Sequence, residues 1–125
     1  MDTANEVIAV IVQAEHIEAV EHIDSITEVA GIDAVLIGPY DLSASMGHIG
    51  EVGHPDVITA ISRVRDCCLG KGVRLGIFGV SAAAVSPYLE QGFSLITVGV
   101  DALMIGKSAT ELLEELRPGQ ASIKP

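Results

Sequence analysis

Aromatic side chains are scarce in this sequence: they make up 3% of its 125 residues, and tryptophan is absent. With 49% hydrophobic residues and so few rings, the core has to be built from Val, Ile, Leu and Ala. Residues of this kind dominate strands that are buried on both faces, as in parallel sheets. We therefore expect one globular α/β domain with a parallel sheet, not a disordered chain.

Basic residues are also scarce. Seven Lys and Arg stand against 17 Asp and Glu, which gives a formal net charge of -10. Because nucleic-acid binding depends on clustered basic side chains, this balance argues against a nucleic-acid partner.

Long apolar runs are missing too. No run reaches the roughly 18 residues of a membrane span, and the first six residues lack the basic start of a secretory signal. The two cysteines, Cys67 and Cys68, are adjacent in the sequence, which suits neither a normal disulfide nor a CxxC metal or redox motif. We expect a cytoplasmic protein without a membrane partner and with inert thiols.

Short β-branched runs alternate with helical patterns along the chain. They predict strands near residues 7–13, 32–37, 73–78 and 93–98, each followed by a helix: 16–30, 55–70, 82–90 and 108–116. The segment 43–53 is expected to be a loop with at most one helical turn. Four consecutive βα units over residues 1–125 form either a small open parallel sheet or half of an eight-stranded (β/α) barrel, which usually has about 250 residues.

Two carboxylates follow predicted strands, at the carboxyl ends where parallel βα folds place their binding and catalytic sites. Glu15 closes the first strand and Asp41 follows the second, after Gly38 and Pro39. Since parallel strands end at one rim, both side chains should reach the same rim. Two carboxylates would suit a hard cation such as Mg²⁺ or Mn²⁺. On composition alone, however, helix-start residues that satisfy exposed amides are the favoured interpretation.

Three segments then add a family resemblance: VIVQAE at residues 10–15, GIDAVLIGPYDLSASMG at 31–47, and VGVDALMIGKSA at 98–109. Together they resemble the second half of the HpcH/HpaI aldolases, and GPYDLSASMG is the most specific part. The resemblance implies an α/β fold that is the C-terminal half of a (β/α)8 TIM barrel.

The resemblance also implies a chemistry. In that family the Glu of a Q-x-E motif and the Asp of a GPxDLS motif bind a divalent metal such as Mg, Mn or Co, which maps onto Glu15 and Asp41. Backbone amides beside the motif Asp hold the substrate carboxylate, which implicates Tyr40 and Asp41. The implied reaction is reversible cleavage of a 4-hydroxy-2-oxoacid to pyruvate and an aldehyde, with the metal stabilising the pyruvate enolate.

The family's catalytic histidine and substrate-binding arginine lie in the half of the barrel that this chain does not match, so no catalytic residue is assigned. Our first hypothesis is an aldolase half-domain that works as a homo-oligomer or with a separate N-terminal half. The alternative is a catalytically incomplete fragment or pseudoenzyme that binds metal and 2-oxoacid or serves as an assembly partner. A small flavodoxin-like domain is a third possibility, disfavoured because no phosphate loop is present.

Other polar residues receive plainer interpretations. We interpret His16, His48 and His54 as surface or loop-capping residues, because no partner spacing fixes their role. The GxxGxxG pattern at 47–53 predicts a flexible lid and not a phosphate-binding loop. Lys107 is not expected to form a Schiff base, since the metal motif makes one unnecessary.

Overall fold

A computed structural model describes residues 3–117, and its four strands form one parallel sheet. The elements in chain order are α1 (Ala4–Val7), β1 (Ile11–Ala14), α2 (Ile17–Glu21), α3 (Ile23–Ile26), β2 (Ala34–Ile37), α4 (Pro39–Ser45), α5 (Pro55–Lys71), β3 (Arg74–Gly79), α6 (Ala82–Leu89), β4 (Leu95–Val98) and α7 (Asp101–Leu116). The sheet order is β1-β2-β3-β4, so every strand pairs with the next one along the chain.

This strand order decides between the flavodoxin-like and the barrel-like architecture. All three strand pairs are parallel, and helices connect consecutive strands. A flavodoxin-like sheet reverses its order at a switch point, whereas a (β/α)8 barrel adds its strands in sequence. The described residues therefore confirm the α/β class and have the arrangement of half a (β/α)8 barrel.

Among the described helices, α5 has the most buried residues. It begins with Pro55 in its first turn and ends at Gly72, whose φ of 70° is a left-handed conformation that suits glycine. Its predicted apolar face is buried; the buried residues are Val57, Ala60, Ile61, Val64 and Cys68. Burial raises the pKa of the Cys68 thiol to about 11, so this cysteine stays protonated and inert.

The first strand is shorter than the sequence predicted. The expected strand over residues 7–13 is wrong at its start, because Val7 belongs to α1 and β1 begins at Ile11. Strand pairing begins there because the backbone groups of Val10, just before Ile11, are bound by Asp33. The side-chain Oδ2 of Asp33 accepts from Val10 N at 2.7 Å. The Asp33 amide in turn donates to Val10 O at 2.8 Å.

The first predicted helix is divided in two. Residues 16–30 were expected to form one helix, but α2 ends at Glu21 and α3 ends at Ile26. After α3, two side chains bind Asp24 O, the carbonyl that a continuing helix would use next: Thr27 Oγ1 donates to it at 3.0 Å and Lys71 Nζ at 2.6 Å.

One helix was not expected, and another begins earlier than expected. Residues 40–42 were predicted to lie just beyond the strand, and 43–53 to be a loop with at most one helical turn, but Pro39 starts α4, which extends to Ser45. Helix α7 begins at Asp101 and not near Ser108, and Asp101 Oδ1 accepts from Ala102 N at 2.7 Å. The early start adds about two turns to this helix.

Helix α7 differs from the others in its surroundings. None of its 16 residues is buried, although it carries large apolar side chains. Those exposed side chains are Leu103, Met104, Ile105, Leu112, Leu113 and Leu116. Across residues 3–117, none of the helices has the length and apolar character needed to span a membrane.

Candidate metal and substrate site

The carboxyl ends of the strands form the rim on which the two predicted acidic residues lie. Ala14 pairs with Ile37, so β1 and β2 end side by side. Glu15 follows β1 directly, and Asp41 lies in the first turn of α4, just after β2. Both residues are therefore attached to neighbouring strand ends, which is where (β/α) barrels assemble their sites.

Glu15 is held in place from two sides. Gln13 Nε2 donates a hydrogen bond of 2.6 Å to Glu15 Oε2. Gly38 lies beneath the carboxylate: a Cβ on Gly38 would come within 3.0 Å of Gln13 Nε2 and 3.2 Å of Glu15 Oε2. The missing side chain at residue 38 thus leaves the space that the Glu15 carboxylate occupies across the end of β2.

Hydrogen bonds and ring packing hold the first turn of α4, which carries Tyr40 and Asp41, in place. Ser43 is fully buried, and its hydroxyl donates to Tyr40 O at 2.6 Å. Ser45 Oγ accepts from Ile17 N at 3.0 Å, which ties α4 to the start of α2. The Tyr40 ring packs edge-on against Phe78 of β3, with ring centroids 6.1 Å apart. Asp41 is the exposed residue of this turn.

The donor atoms at this rim fit a hard divalent cation. Glu15 and Asp41 offer carboxylate oxygens, and Gln13 keeps its amide oxygen available because its nitrogen is bound to Glu15. Oxygen ligands of this kind suit Mg²⁺ or Mn²⁺. The assignment of Glu15 and Asp41 as metal ligands, and of Tyr40 and Asp41 as substrate ligands, stays a prediction.

The capping interpretation is confirmed for two histidines. His16 is the N-cap of α2, where its Nδ1 accepts from Glu18 N at 3.3 Å. His54 is the N-cap of α5, where its Nδ1 accepts from Asp56 N at the same distance. Both side chains satisfy amides at helix starts that have no partner within the helix.

His48 has a neighbour that the sequence analysis missed. Its ring stacks on that of His54, with centroids 3.5 Å apart and an interplanar angle of 17°. Gly47 and Gly50, with φ of 81° and 76°, make the turns that return the chain from one histidine toward the other. The sequence does contain a pattern that could have indicated this proximity, H-x-x-E-x-x-H from residue 48 to 54, but we did not interpret it that way.

Lys107 lies apart from these groups on the surface of α7. Its Nζ is 3.7 Å from Glu111 Oε1, one turn further along the helix. The pair is exposed, with 78% of the Lys107 side chain accessible.

Four parallel βα units whose strands follow the chain order place the molecule in the class of (β/α)8 barrels, as half of such a barrel. The sequence match then gives the particular family. The chain belongs to the HpcH/HpaI aldolase/citrate lyase family, whose model matches residues 1–107. The resemblance inferred from GPYDLSASMG is thereby confirmed.

Relatives show the same relationship in sequence and in structure. The chain is 39% identical to a 2-dehydro-3,6-dideoxy-6-sulfogluconate aldolase of Pseudomonas putida over 94% of this chain and 46% of the relative. It is 36% identical to a hydroxypyruvate/pyruvate aldolase of Cupriavidus necator, covering 94% and 44%. A crystal structure of a family protein from Burkholderia cenocepacia J2315 superposes with a TM-score of 0.86 at 41% identity, over 93% of this chain and 45% of that one.

In each of these comparisons nearly all of this chain is matched, but less than half of the relative. The chain spans about half the length of the curated relatives it matches. The same share of a solved family structure is matched, which agrees with four of the eight βα units of a barrel.

Proposed function

We propose that this chain is the C-terminal half of a divalent-metal-dependent aldolase that reversibly cleaves 4-hydroxy-2-oxoacids to pyruvate and an aldehyde. The observation that carries the proposal is the position of Glu15, which Gln13 holds across Gly38 on the rim shared with Asp41. The curated relatives quoted above are aldolases, which supports carbon-carbon bond cleavage as the kind of reaction.

In this proposal, Glu15 and Asp41 hold the metal, which is Mg²⁺, Mn²⁺ or Co²⁺. When bound, such a cation acts as a Lewis acid that draws electron density from the 2-oxo group of the substrate. The hydrogen bond from Gln13 orients one carboxylate oxygen of Glu15 and leaves the other for a ligand. A carboxylate fixed before binding loses less entropy when the metal arrives.

The substrate carboxylate is assigned to the amides that open α4. The first hydrogen bond of this helix runs from Leu42 N to Gly38 O at 2.9 Å. The amides of Tyr40 and Asp41 come before it and have no acceptor within the helix, so they can donate to an anion. Packing against Phe78 and the hydrogen bond from Ser43 keep this turn in position.

The chain is proposed to work with a second component. We assign no residue of this chain to proton transfer, and the exposed apolar side chains of α7 offer a surface for association. A separate N-terminal half or a second copy of this chain would cover that surface and extend the sheet beyond β1 and β4.

A second candidate function follows from the coverage of its relatives, which is 46% and 44% of their length. In this alternative the chain is a catalytically incomplete fragment that binds a metal and a 2-oxoacid or serves as an assembly partner. A fragment that binds metal and 2-oxoacid differs from the first proposal in whether bond cleavage occurs, not in which residues bind.

The deciding experiment is pyruvate release from a 4-hydroxy-2-oxoacid with added Mn²⁺, measured on the chain alone and together with the N-terminal half of the Pseudomonas putida relative. The first proposal expects release in at least the mixture, with a loss of about 100-fold or more in Glu15→Ala and Asp41→Ala. Glu21→Ala, which removes an exposed glutamate of α2, should behave like the wild type.

Binding measurements separate the two candidates. Mn²⁺ and pyruvate binding without cleavage in either sample would support the incomplete fragment.

Gly38→Ala tests the assignment of Glu15 as a metal ligand, because a Cβ there would press on the carboxylate. We expect Mn²⁺ affinity to fall about tenfold in Gly38→Ala, as for a disturbed partner of a metal ligand. Gly70→Ala in α5 is the matched control, since nothing lies within 4 Å of its added Cβ and it is not next to a proposed metal ligand. Unchanged Mn²⁺ affinity in Glu15→Ala would refute the metal assignment.

A further inference from the structure

Two histidines and a glutamate come together in the segment between α4 and α5. His48, Glu51 and His54 each have a ligand atom, and these atoms all lie within 4.8 Å of one another. The group contains neither Glu15 nor Asp41, and the proposed aldolase reaction gives it no role.

The backbone holds this group through successive turns. His48 N donates to Ser43 O at 2.8 Å, Glu51 N to His48 O at 2.9 Å, and His54 N to Glu51 O at 2.9 Å. The cluster is therefore fixed to the buried Ser43 on one side and to the start of α5 on the other. A segment with this much local hydrogen bonding brings its three side chains together at little further entropic cost.

The two imidazoles are partly withdrawn from solvent. The side chains of His48 and His54 are 26% and 31% accessible. Asp56 adds a second carboxylate beside them, with its Oδ2 3.5 Å from His48 Nε2 and 3.7 Å from His54 Nδ1. Two nitrogen donors thus lie between two acidic side chains, which favours a cation there.

We propose that His48, Glu51 and His54 form a second divalent-cation site, which takes zinc or another nitrogen-preferring cation and fastens the segment between α4 and α5. Two imidazoles and one carboxylate are a donor set of protein zinc sites. Imidazole favours zinc, copper and nickel, whereas carboxylates with water favour magnesium and manganese. The donor sets therefore separate this site from the oxygen-only site of Glu15 and Asp41.

Coordination requires a small rearrangement. Zinc bonds of about 2.0 to 2.2 Å place tetrahedral ligand atoms about 3.4 Å apart, closer than the present limit of 4.8 Å. A metal lies in the plane of each imidazole that binds it, so one ring must turn out of the stack. His48 is the ring to turn, because His54 Nδ1 caps α5 and leaves Nε2 as its ligand atom.

The test is a zinc titration of the full chain against a chromophoric chelator, in a Glu15→Ala, Asp41→Ala background that removes the oxygen site. We expect binding of one zinc ion per chain, and an absorption spectrum of tetrahedral Co²⁺ when cobalt replaces zinc. The double change His48→Gln with His54→Asn should weaken zinc affinity at least about 100-fold, since even outer partners of zinc ligands contribute about 10- to 100-fold.

The variants are chosen so that a change in zinc affinity reflects the loss of a ligand and not the loss of a helix cap. Asn is a good N-cap, so His54→Asn preserves the start of α5. Glu51→Gln, at an exposed position, tests the site without touching a cap and should weaken zinc affinity about tenfold. His22→Gln is the control, because His22 lies at the junction of α2 and α3, outside the cluster.

The zinc titrations can either support or overturn the proposed site. Weaker zinc binding in the cluster variants, with wild-type affinity in His22→Gln, supports the site. The proposal is overturned by unchanged affinity in both cluster variants, or by no zinc binding at micromolar concentrations in the starting chain. Neither result depends on whether the chain cleaves any substrate.

Discussion

Helices α5 and α7 have nearly equal lengths, 17 and 16 residues, but very different surroundings. Five residues of α5 are buried against the sheet and its neighbouring helices, whereas no residue of α7 is buried. Both sequences carry large apolar side chains. An amphipathic pattern specifies which face of a helix avoids water, but it does not specify what will cover that face.

The same contrast separates the middle of the chain from its two edges. The buried hydrophobic residues run from Ala14 to Phe93. The exposed ones include Val7, Ile8 and Val10 before β1, Ile11 at the start of β1, and Val98 in β4. The described chain thus has a complete core only in its central βα units. Its outer strands and α7 have the composition of interior surfaces.

The largest effect should come from the packed helix. Ile61→Ala removes a side chain that is 2% exposed, and we expect the free energy of unfolding to fall by about 2 to 5 kcal/mol. Ile58→Ala on the same helix is the matched control, because Ile58 is 41% exposed and should change stability by well under half as much. Urea denaturation measures both, and equal losses would contradict the description of α5 as one-sided.

Helix α7 should respond differently to the loss of apolar side chains. Leu112→Gln with Leu116→Gln should change the free energy of unfolding of the monomer by only about 0.5 kcal/mol, because both side chains are exposed. The same change should weaken self-association, or association with an N-terminal half, by at least about tenfold. Sedimentation equilibrium measures association, with Glu114→Gln as the control. A large loss of monomer stability would mean that α7 packs on its own chain.

The smallest effect concerns a surface ion pair in the packed region. A hydrogen bond from Cys67 and the positive charges of Arg63 and Lys71 lower the pKa of Asp24. A lowered carboxyl pKa contributes stability above the unfolded value of about 3.9, and this contribution is lost as pH falls through the folded value. The stability difference between wild type and Asp24→Asn should therefore shrink between pH 7 and about pH 3.

Urea midpoints at the two pH values test this pH dependence. Glu111→Gln is the comparison, because its pair with Lys107 lies on the exposed helix α7. An Asp24→Asn difference that stays constant with pH would mean that the carboxylate does not stabilise the contact between α3 and α5.

The strand-helix alternation was predictable because short β-branched runs and glycine or proline stops act locally. The boundaries that were wrong depended on single side chains. Asp33 closes the β1 ladder at Val10, and Thr27 binds carbonyls of α3, and neither interaction follows from hydrophobic periodicity. Helix α7 starts seven residues before the predicted Ser108, and Asp101 in its first turn was the available start signal.

The position of the candidate site was predictable for a topological reason. Parallel strands end at one rim, so Glu15 and Asp41 were expected on neighbouring strand ends, where the structure has them. The support beneath Glu15 was not predictable, because it depends on how closely Gly38 passes Gln13 in three dimensions. The stacking of His48 on His54 likewise required the left-handed turns at Gly47 and Gly50.

The strand order β1-β2-β3-β4 also bears on how the protein is made. A ribosome releases the chain in the same order in which the strands add to the sheet, so each new strand finds its neighbour already synthesised. None of the four strands in residues 3–117 has to be inserted between two earlier ones, which keeps the loops that must close during folding short. The pairing of β1 with β2, and with it the rim that carries Glu15 and Asp41, can therefore form while α7 is still being translated.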